Sequence, residues 1–263
     1  GGGWLAEMGI LDYAGGLVVH LTAGISALVL AAVLGPRKGF PDQVDPPHSP
    51  ALVMIGASML WVGWFGFNAG SALSANEDAG MAMLVTHVSA ATASLVWMFI
   101  DWLKFGKPTL VGLVTGTIAG LASITPASGF VGPLGALIIG GSAGIICYVL
   151  VSFVKNTLKV DDSLDVFAVH GVGGIWGCIA TGIFAIESIA GVKGLIQGDA
   201  TQVWIQIYTA AGTLAYSFIV SFAILFILNK IPGLELRSNE SEENSGLDLS
   251  AHGEQAFVSD GAD

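Results

Sequence analysis

DVFAVHGVGGIWG, residues 165–177, sets one histidine inside a run that is otherwise apolar and studded with glycine. Residues 12–24, DYAGGLVVHLTAG, repeat the arrangement: an aspartate, small residues, then a single histidine among aliphatic side chains. What surrounds these runs decides how they are read, because an ionisable group in lipid is costly and marks function far more often than one in water. Composition identifies the surroundings. Of 263 residues, 53% are hydrophobic and only 11% charged, with a mean hydropathy of +0.75, too apolar for a soluble domain of this length. A spanning helix needs about 20 mostly apolar residues. Seven stretches qualify, at 13–34, 51–72, 79–103, 109–125, 131–154, 166–187 and 203–229, the fourth being the shortest. The alternating segments of a membrane β-barrel are absent, so helices are the remaining way to satisfy the backbone in lipid. The sequence therefore predicts an all-α, polytopic bundle over residues 1–233, followed by a polar tail over 234–263.

Basic residues orient the bundle, since lysine and arginine in short loops mark the cytoplasmic side. Arg37 and Lys38 follow the first span, Lys104 and Lys107 the third, Lys155 and Lys159 the fifth, and Lys230 and Arg237 the seventh. With seven spans these loops fall on one face of the membrane, and only Lys193 falls on the other. The pattern predicts an extracellular entry into the first helix and a cytoplasmic C-terminus. The net charge of −11 says little about partners, because eight of the twenty acidic residues lie from Glu235 onward. That tail is nearly free of large apolar residues and reads as a solvated extension. Cys147 and Cys178 fall inside spans and read as small packing residues, not as a disulfide. The chain opens on Gly1-Gly2-Gly3-Trp4 without an initiating methionine, and the expectation is that further spans precede it.

On a helix, residues three and four apart share a face. Gly16 and Gly24 flank His20 at four residues on either side; Gly173, Gly174, Gly177 and Cys178 follow His170. Each imidazole stands on a stripe of small residues, where membrane helices approach closely, so each faces protein. A single such histidine reads as readily as a hydrogen-bonded core group. Two, on helices that the basic residues orient in opposite directions, suggest an inverted repeat with a shared site near the membrane midplane. Asp12 and Asp165 precede the two runs and are expected to cap the helix starts. His87 reads as a packing or lumen-facing residue, and His48 and His252 lie in a loop and in the tail. HExxH, GxSxG and Walker A patterns are missing, and no lysine sits mid-span to carry a retinal. Neither an enzyme nor a bound metal or cofactor is expected.

DYAGGLVVHLTAG, GWFGFNAGSAL, ITPASGFVGPLGALIIG, VDDSLDVFAVHGVGGIWGCIATGIFA and GLDLSAHGEQAF, in that order, resemble the motifs of the ammonium transporter family and its Rhesus-type relatives. The resemblance covers nearly the whole chain. It implies a fold of two five-helix inverted repeats plus a final helix, with this chain beginning just before the fifth helix. His20 and His170 then correspond to twin histidines lining a pore, Phe67 to a gate phenylalanine with Trp64 beside it, and Ser71 to a hydroxyl that recruits ammonium. Thr125 resembles a further pore-lining or packing threonine. A second gate phenylalanine and a recruitment tryptophan would lie upstream of Gly1. The resemblance also implies a homotrimer and a tail that acts with a PII-type signalling protein. An ammonium sensor of the same fold and a scaffold subunit are the alternatives. Depth is a point of tension: counted from the span starts, His20 falls near one membrane face and His170 near the other, whereas the resemblance makes them neighbours.

Overall fold

The computed structural model describes residues 2–44 and 46–255. These contain no strand, and the chain divides into two units, Gly1–Ser221 and Phe222–Asp263. Seven principal helices follow in order: α1 Gly16–Leu34, α2 Pro50–Gly70, α3 Glu77–Phe105, α4 Leu110–Ile124, α5 Pro133–Asn156, α6 Phe167–Phe184 and α7 Thr201–Leu228. Six of them are long and apolar enough to cross a membrane. The exception is α4, at 15 residues, the stretch that was also shortest in the sequence. Together with the composition, this makes the chain a multi-pass membrane protein.

Local chemistry fixes the helix starts. Ser49, Asn76 and Thr109 accept from the amides of Leu52, Ala79 and Gly112, capping α2, α3 and α4, and prolines occupy the first turn of α2 and α5, where a missing N–H costs nothing. Helices α3, α4 and α5 pack as a tight group. Ser89 on α3 donates to the carbonyl of Gly120 on α4 at 2.8 Å. A methyl group on Gly140 of α5 would overlap the Ser89 backbone, and one on Gly116 would meet the Ala93 carbonyl. Small residues let these backbones close up, which is how helices associate where lipid supplies no hydrophobic drive.

Helices α1 and α6 depart from regular α geometry at the histidines. Gly16–Leu21 and Phe167–Val172 each form a π-helical turn at the start of the helix, and the His20 amide bonds back to Gly15 five residues earlier. Such turns favour functional sites, since the wider turn re-aims a side chain. The two helices cross antiparallel at these turns. A Cβ on Gly24 would overlap the backbone of Gly171, and one on Gly174 would meet the Gly16 carbonyl and the Cβ of His20.

This crossing removes the tension in depth. Gly24 of α1 lies against Gly171, and Gly174 of α6 against Gly16 and His20, so the crossing brings both histidines to one level. Between the short helix Trp4–Glu7 and α1 the backbone is non-helical, and polar groups of Leu11, Tyr13 and Ala14 have protein partners. Gln206 on α7 accepts from the Leu11 amide at 2.9 Å and donates to the Leu11 carbonyl at 2.7 Å. The amides of Tyr13 and Ala14 reach the carbonyls of Pro126 and Thr125. Irregular backbone within a membrane bundle is tolerated where protein satisfies it in this way.

In the second unit, Asn239 and Glu242 form a reciprocal cap on the short helix Glu240–Ser245, and Arg237 grips Glu243 through two nitrogens. The carboxyl of Glu243 is held below the usual glutamate range by that guanidinium. The last two residues of the GLDLSAHGEQAF motif, Ala256 and Phe257, lie outside the described residues.

Candidate functional site

His20 and His170 meet through Nδ1 at 3.1 Å, with ring centroids 5.2 Å apart. His20 is 3% exposed, and His170 is half-buried. The far nitrogen of His20, Nε2, lies 3.2 Å from the Thr125 hydroxyl. That hydroxyl also accepts from the indole N–H of Trp64 at 3.0 Å and donates to the Leu121 carbonyl one turn back at 2.8 Å.

These bonds assign a tautomer. A hydroxyl has one hydrogen and two lone pairs. With its hydrogen on Leu121, Thr125 offers only lone pairs, one to Trp64 and one to His20. The network therefore places the His20 hydrogen on Nε2 and leaves its Nδ1 as an acceptor. His170 must then donate from Nδ1, and its Nε2 carries a bare lone pair. Thr125 thus sets the polarity of the whole chain from Trp64 to His170.

Aromatic rings enclose the pair on one side. The Trp64 ring stacks on His20 with centroids 5.2 Å apart, and Phe67 meets His20 edge-on at 6.1 Å and Trp64 at 5.9 Å. Their spacing of three puts both on one face of α2. His20, His170, Trp64 and Phe67, with Val19, Gly63 and Val166 among their neighbours, line a cavity of about 520 Å³. Ser71 stands apart from that cavity. It caps the end of α2, where its hydroxyl donates to the Phe67 carbonyl at 2.8 Å, so its link to the site runs through the backbone of a lining residue. His87 packs against the rings of Trp61 and Phe65, away from the pair. Among the described residues, no group of three or more histidine, cysteine or acidic side chains could hold a metal ion. Cys147 and Cys178 are buried and not joined in a disulfide.

The helix-start aspartates divide. Asp12 lies at the start of α1, its carboxylate accepting from the amides of Gly16 and Leu17. Asp165 does not cap α6. Asp162 does, accepting from Val166 and Phe167 at 3.0 and 2.7 Å. Asp165 has a left-handed backbone, with φ of 59°, and turns its carboxylate to the Lys155 ammonium at 2.6 Å. Burial pushes its carboxyl upward, and Lys155 draws it back. The signal that identifies Asp162 is spacing. Asp12 lies eight residues before His20, and Asp162 eight residues before His170; each reaches the amides four and five residues on. The two copies share one local design.

The fold is thus a helical membrane bundle in which two paired imidazoles, one buried and one half-buried, open on an aromatic cleft. The chain belongs to the Ammonium Transporter Family, whose model matches residues 1–257. It is 49% identical to the ammonium transporter Amt1 of Archaeoglobus fulgidus, over 98% of this chain and 65% of that protein. To the ammonium transporter of Aquifex aeolicus it is likewise 49% identical, over 98% of this chain and 59% of that one. The fold matches the crystal structure of Saccharomyces cerevisiae Mep2 with a TM-score of 0.84 and 42% identity, covering 91% of this chain and 55% of that one. It also matches a sensor Amt protein with a TM-score of 0.85 and 34% identity, over 94% of this chain and 62% of that one. The chain thus spans roughly three-fifths of the length of the curated relatives it matches.

Proposed function

We propose that this chain contributes the twin-histidine half of an ammonium transport path. The observation that carries this reading is the Nδ1 to Nδ1 contact of His20 and His170 at 3.1 Å, in a cavity that Trp64 and Phe67 wall with aromatic rings. An ammonium ion entering low dielectric must replace its water. Aromatic faces do so by cation–π attraction, worth about 2 kcal/mol once desolvated. Ser71, at the end of α2, recruits the ion with a hydroxyl acceptor. Neutral imidazoles then take over: the bare Nε2 of His170 takes a proton from the ammonium ion and frees ammonia, which moves along the same wall, while the extra proton is shared across the Nδ1 to Nδ1 contact and handed to water at the far end of the path, returning both rings to the neutral state. Ammonia and its proton are separated and move past one pair of rings. Thr125 keeps the pair polarised in one direction.

The assembled protein in this reading is a cell-membrane homotrimer with one path per subunit and a cytoplasmic C-terminus. The tail from Leu234 onward regulates the path, with a PII-type signalling protein docking near the same face. Deletion after Lys230 is expected to leave the bundle intact and to alter regulation of transport; unchanged regulation makes the tail a solvated appendage. A sensor of the same fold is the second reading, favoured by the likeness to the sensor Amt protein. Flux distinguishes the two.

The test is His170→Leu in the protein that contains this chain together with the preceding helices. Leucine removes both ring nitrogens and leaves the His20 acceptor unpaired, a loss of about 1–3 kcal/mol that a large bundle tolerates. Currents recorded on supported membranes are expected to vanish while thermal unfolding of the purified variant stays close to the parent. Parent-level currents from a folded His170→Leu protein would refute the relay.

A further inference from the structure

The backbone just before α1 is held by one side chain of α7. Gln206 is fully buried, and all four hydrogen-bonding positions of its amide are filled. Oε1 accepts from the Leu11 amide at 2.9 Å and from Gln202 Nε2 at 3.2 Å. Nε2 donates to the Leu11 carbonyl at 2.7 Å and to the Cys178 carbonyl on α6 at 3.0 Å. The partners fix the orientation of the amide: the Leu11 N–H can only donate and the two carbonyls can only accept, so a flipped amide would lose all three bonds. Gln202, one turn earlier on α7, serves the chain further back, donating to the Gly9 carbonyl at 3.0 Å.

The two main-chain groups that Gln206 joins belong to the two histidine-bearing elements. Leu11 is followed by Asp12, whose carboxylate takes the amides of Gly16 and Leu17 and so holds the π-helical turn that carries His20. Cys178 stands eight residues after His170 on α6, about 12 Å along the helix, and packs in one cluster with Leu17, Leu21 and Ala210. Between Cys178 and His170, Gly174 lies against the Gly16 carbonyl and the Cβ of His20. A planar amide that meets both polar groups of one residue and a carbonyl of a second helix leaves little freedom in how those two segments stand. The contact that depends on them is narrow: His20 and His170 meet at 3.1 Å, and a hydrogen bond between two nitrogens is lost once they part beyond about 3.5 Å.

We propose that Gln206 is a positioning residue for the histidine pair, setting the distance between the first turns of α1 and α6 by joining the Leu11 peptide to the Cys178 carbonyl. Its consequence for transport rests on the reading of His20 and His170 as the pair that carries the proton. A side chain that only filled space or satisfied backbone would change stability when replaced, and would leave the bond between the rings as it is.

The test uses the whole protein, purified with ¹⁵N-labelled histidine. Gln206→Met fills similar space without a comparable donor or acceptor, and the coupling across the N–H···N bond between the two rings is expected to weaken or vanish. Gln202→Met removes a buried amide from the same helix but leaves Gln206 on Leu11 and Cys178, so the ring bond should persist. Thermal unfolding of both variants separates lost stability from lost position. Parting the rings by about 1 Å should lower the maximal rate of ammonium transport by about tenfold or more, with KM close to the parent's, since Phe67 and Ser71 on α2 are untouched. Should Gln206→Met fail to fold, Gln206→Asn takes its place: its amide is one methylene shorter, cannot reach Leu11 and Cys178 together, and is expected to show the same loss of coupling. The proposal is overturned if the folded variant keeps the parent's ring coupling, or if Gln202→Met weakens that coupling as much. Lost coupling with parental transport would uphold the positioning role and overturn the proton relay instead.

Discussion

One threonine hydroxyl orders the site. Thr125 is fully buried, and three groups converge on its oxygen: the Leu121 carbonyl, the Trp64 indole and His20 Nε2. Thr125→Val keeps the shape and removes the oxygen, so two buried N–H groups lose their acceptor at about 1–3 kcal/mol each. Val is expected to lower the thermal midpoint and, in the transport-competent protein, to cut ammonium currents. It also releases the tautomer of His20, so ¹⁵N spectra of the histidine rings should change from one fixed pattern to a mixture. Thr125→Ser restores the hydroxyl and is expected to recover both the spectrum and the currents. A Val variant with the parent's ring spectrum would show that the tautomer is set elsewhere. The sequence could mark Thr125 only by resemblance to a family motif, because its role depends on two side chains brought to it from α1 and α2.

The histidine-bearing turns are held by their caps and by the closeness of their crossing. Asp162 satisfies two amides at the start of α6, whereas Asp165 makes a partly exposed ion pair. Losing a cap costs about 1 kcal/mol, and losing an ion pair of this exposure costs less, with a median of about 0–1 kcal/mol. Asp162→Ala is therefore expected to destabilise more than Asp165→Ala in denaturant or thermal unfolding, and the reverse order would reassign the cap. The crossing responds to volume. Gly24→Leu drives a side chain into the Gly171 backbone, and overpacking costs about 1–3 kcal/mol. It should also part the two imidazoles, whereas Gly80→Leu, where the first turn of α3 has open space, should do neither. Low-temperature ring spectra that still report a His20 to His170 bond in Gly24→Leu would show that the crossing tolerates the added volume.

For the whole molecule, the apolar stretches, the helix order and the small-residue faces around both histidines were legible in the sequence, since hydrophobic length and spacing along one helix are local properties. What was not legible was three-dimensional register. The expected cap fell on Asp165 because that residue stands nearest to the helix, while the capping geometry reaches back to Asp162, and the depth of the histidines depended on how α1 and α6 cross. The remaining question at this scale is whether the chain encloses its own path. Only 6% of the apolar window of α2 is buried, and Gly56, Gly63, Gly66 and Gly70 along it meet nothing within 4 Å. Gly63 lines the histidine cavity together with Phe67, which is 38% exposed. Helix faces of small residues are built for close helix contact, because in lipid only packing holds helices together. The face of α2 beside the histidines therefore calls for a further helix to wall the path, and the chain spans roughly three-fifths of the relatives that it resembles over nearly all of its own length. Residues 1–263 reconstituted alone in liposomes are expected to show no saturable ammonium uptake, since a path open along one side cannot keep water from the ammonium ion or lipid from the imidazoles. Uptake should appear when helices that complete the open wall of α2 are supplied in the same membrane. Saturable uptake by residues 1–263 alone, lost on His170→Leu, would mean that the pair of histidines and the wall of α2 suffice.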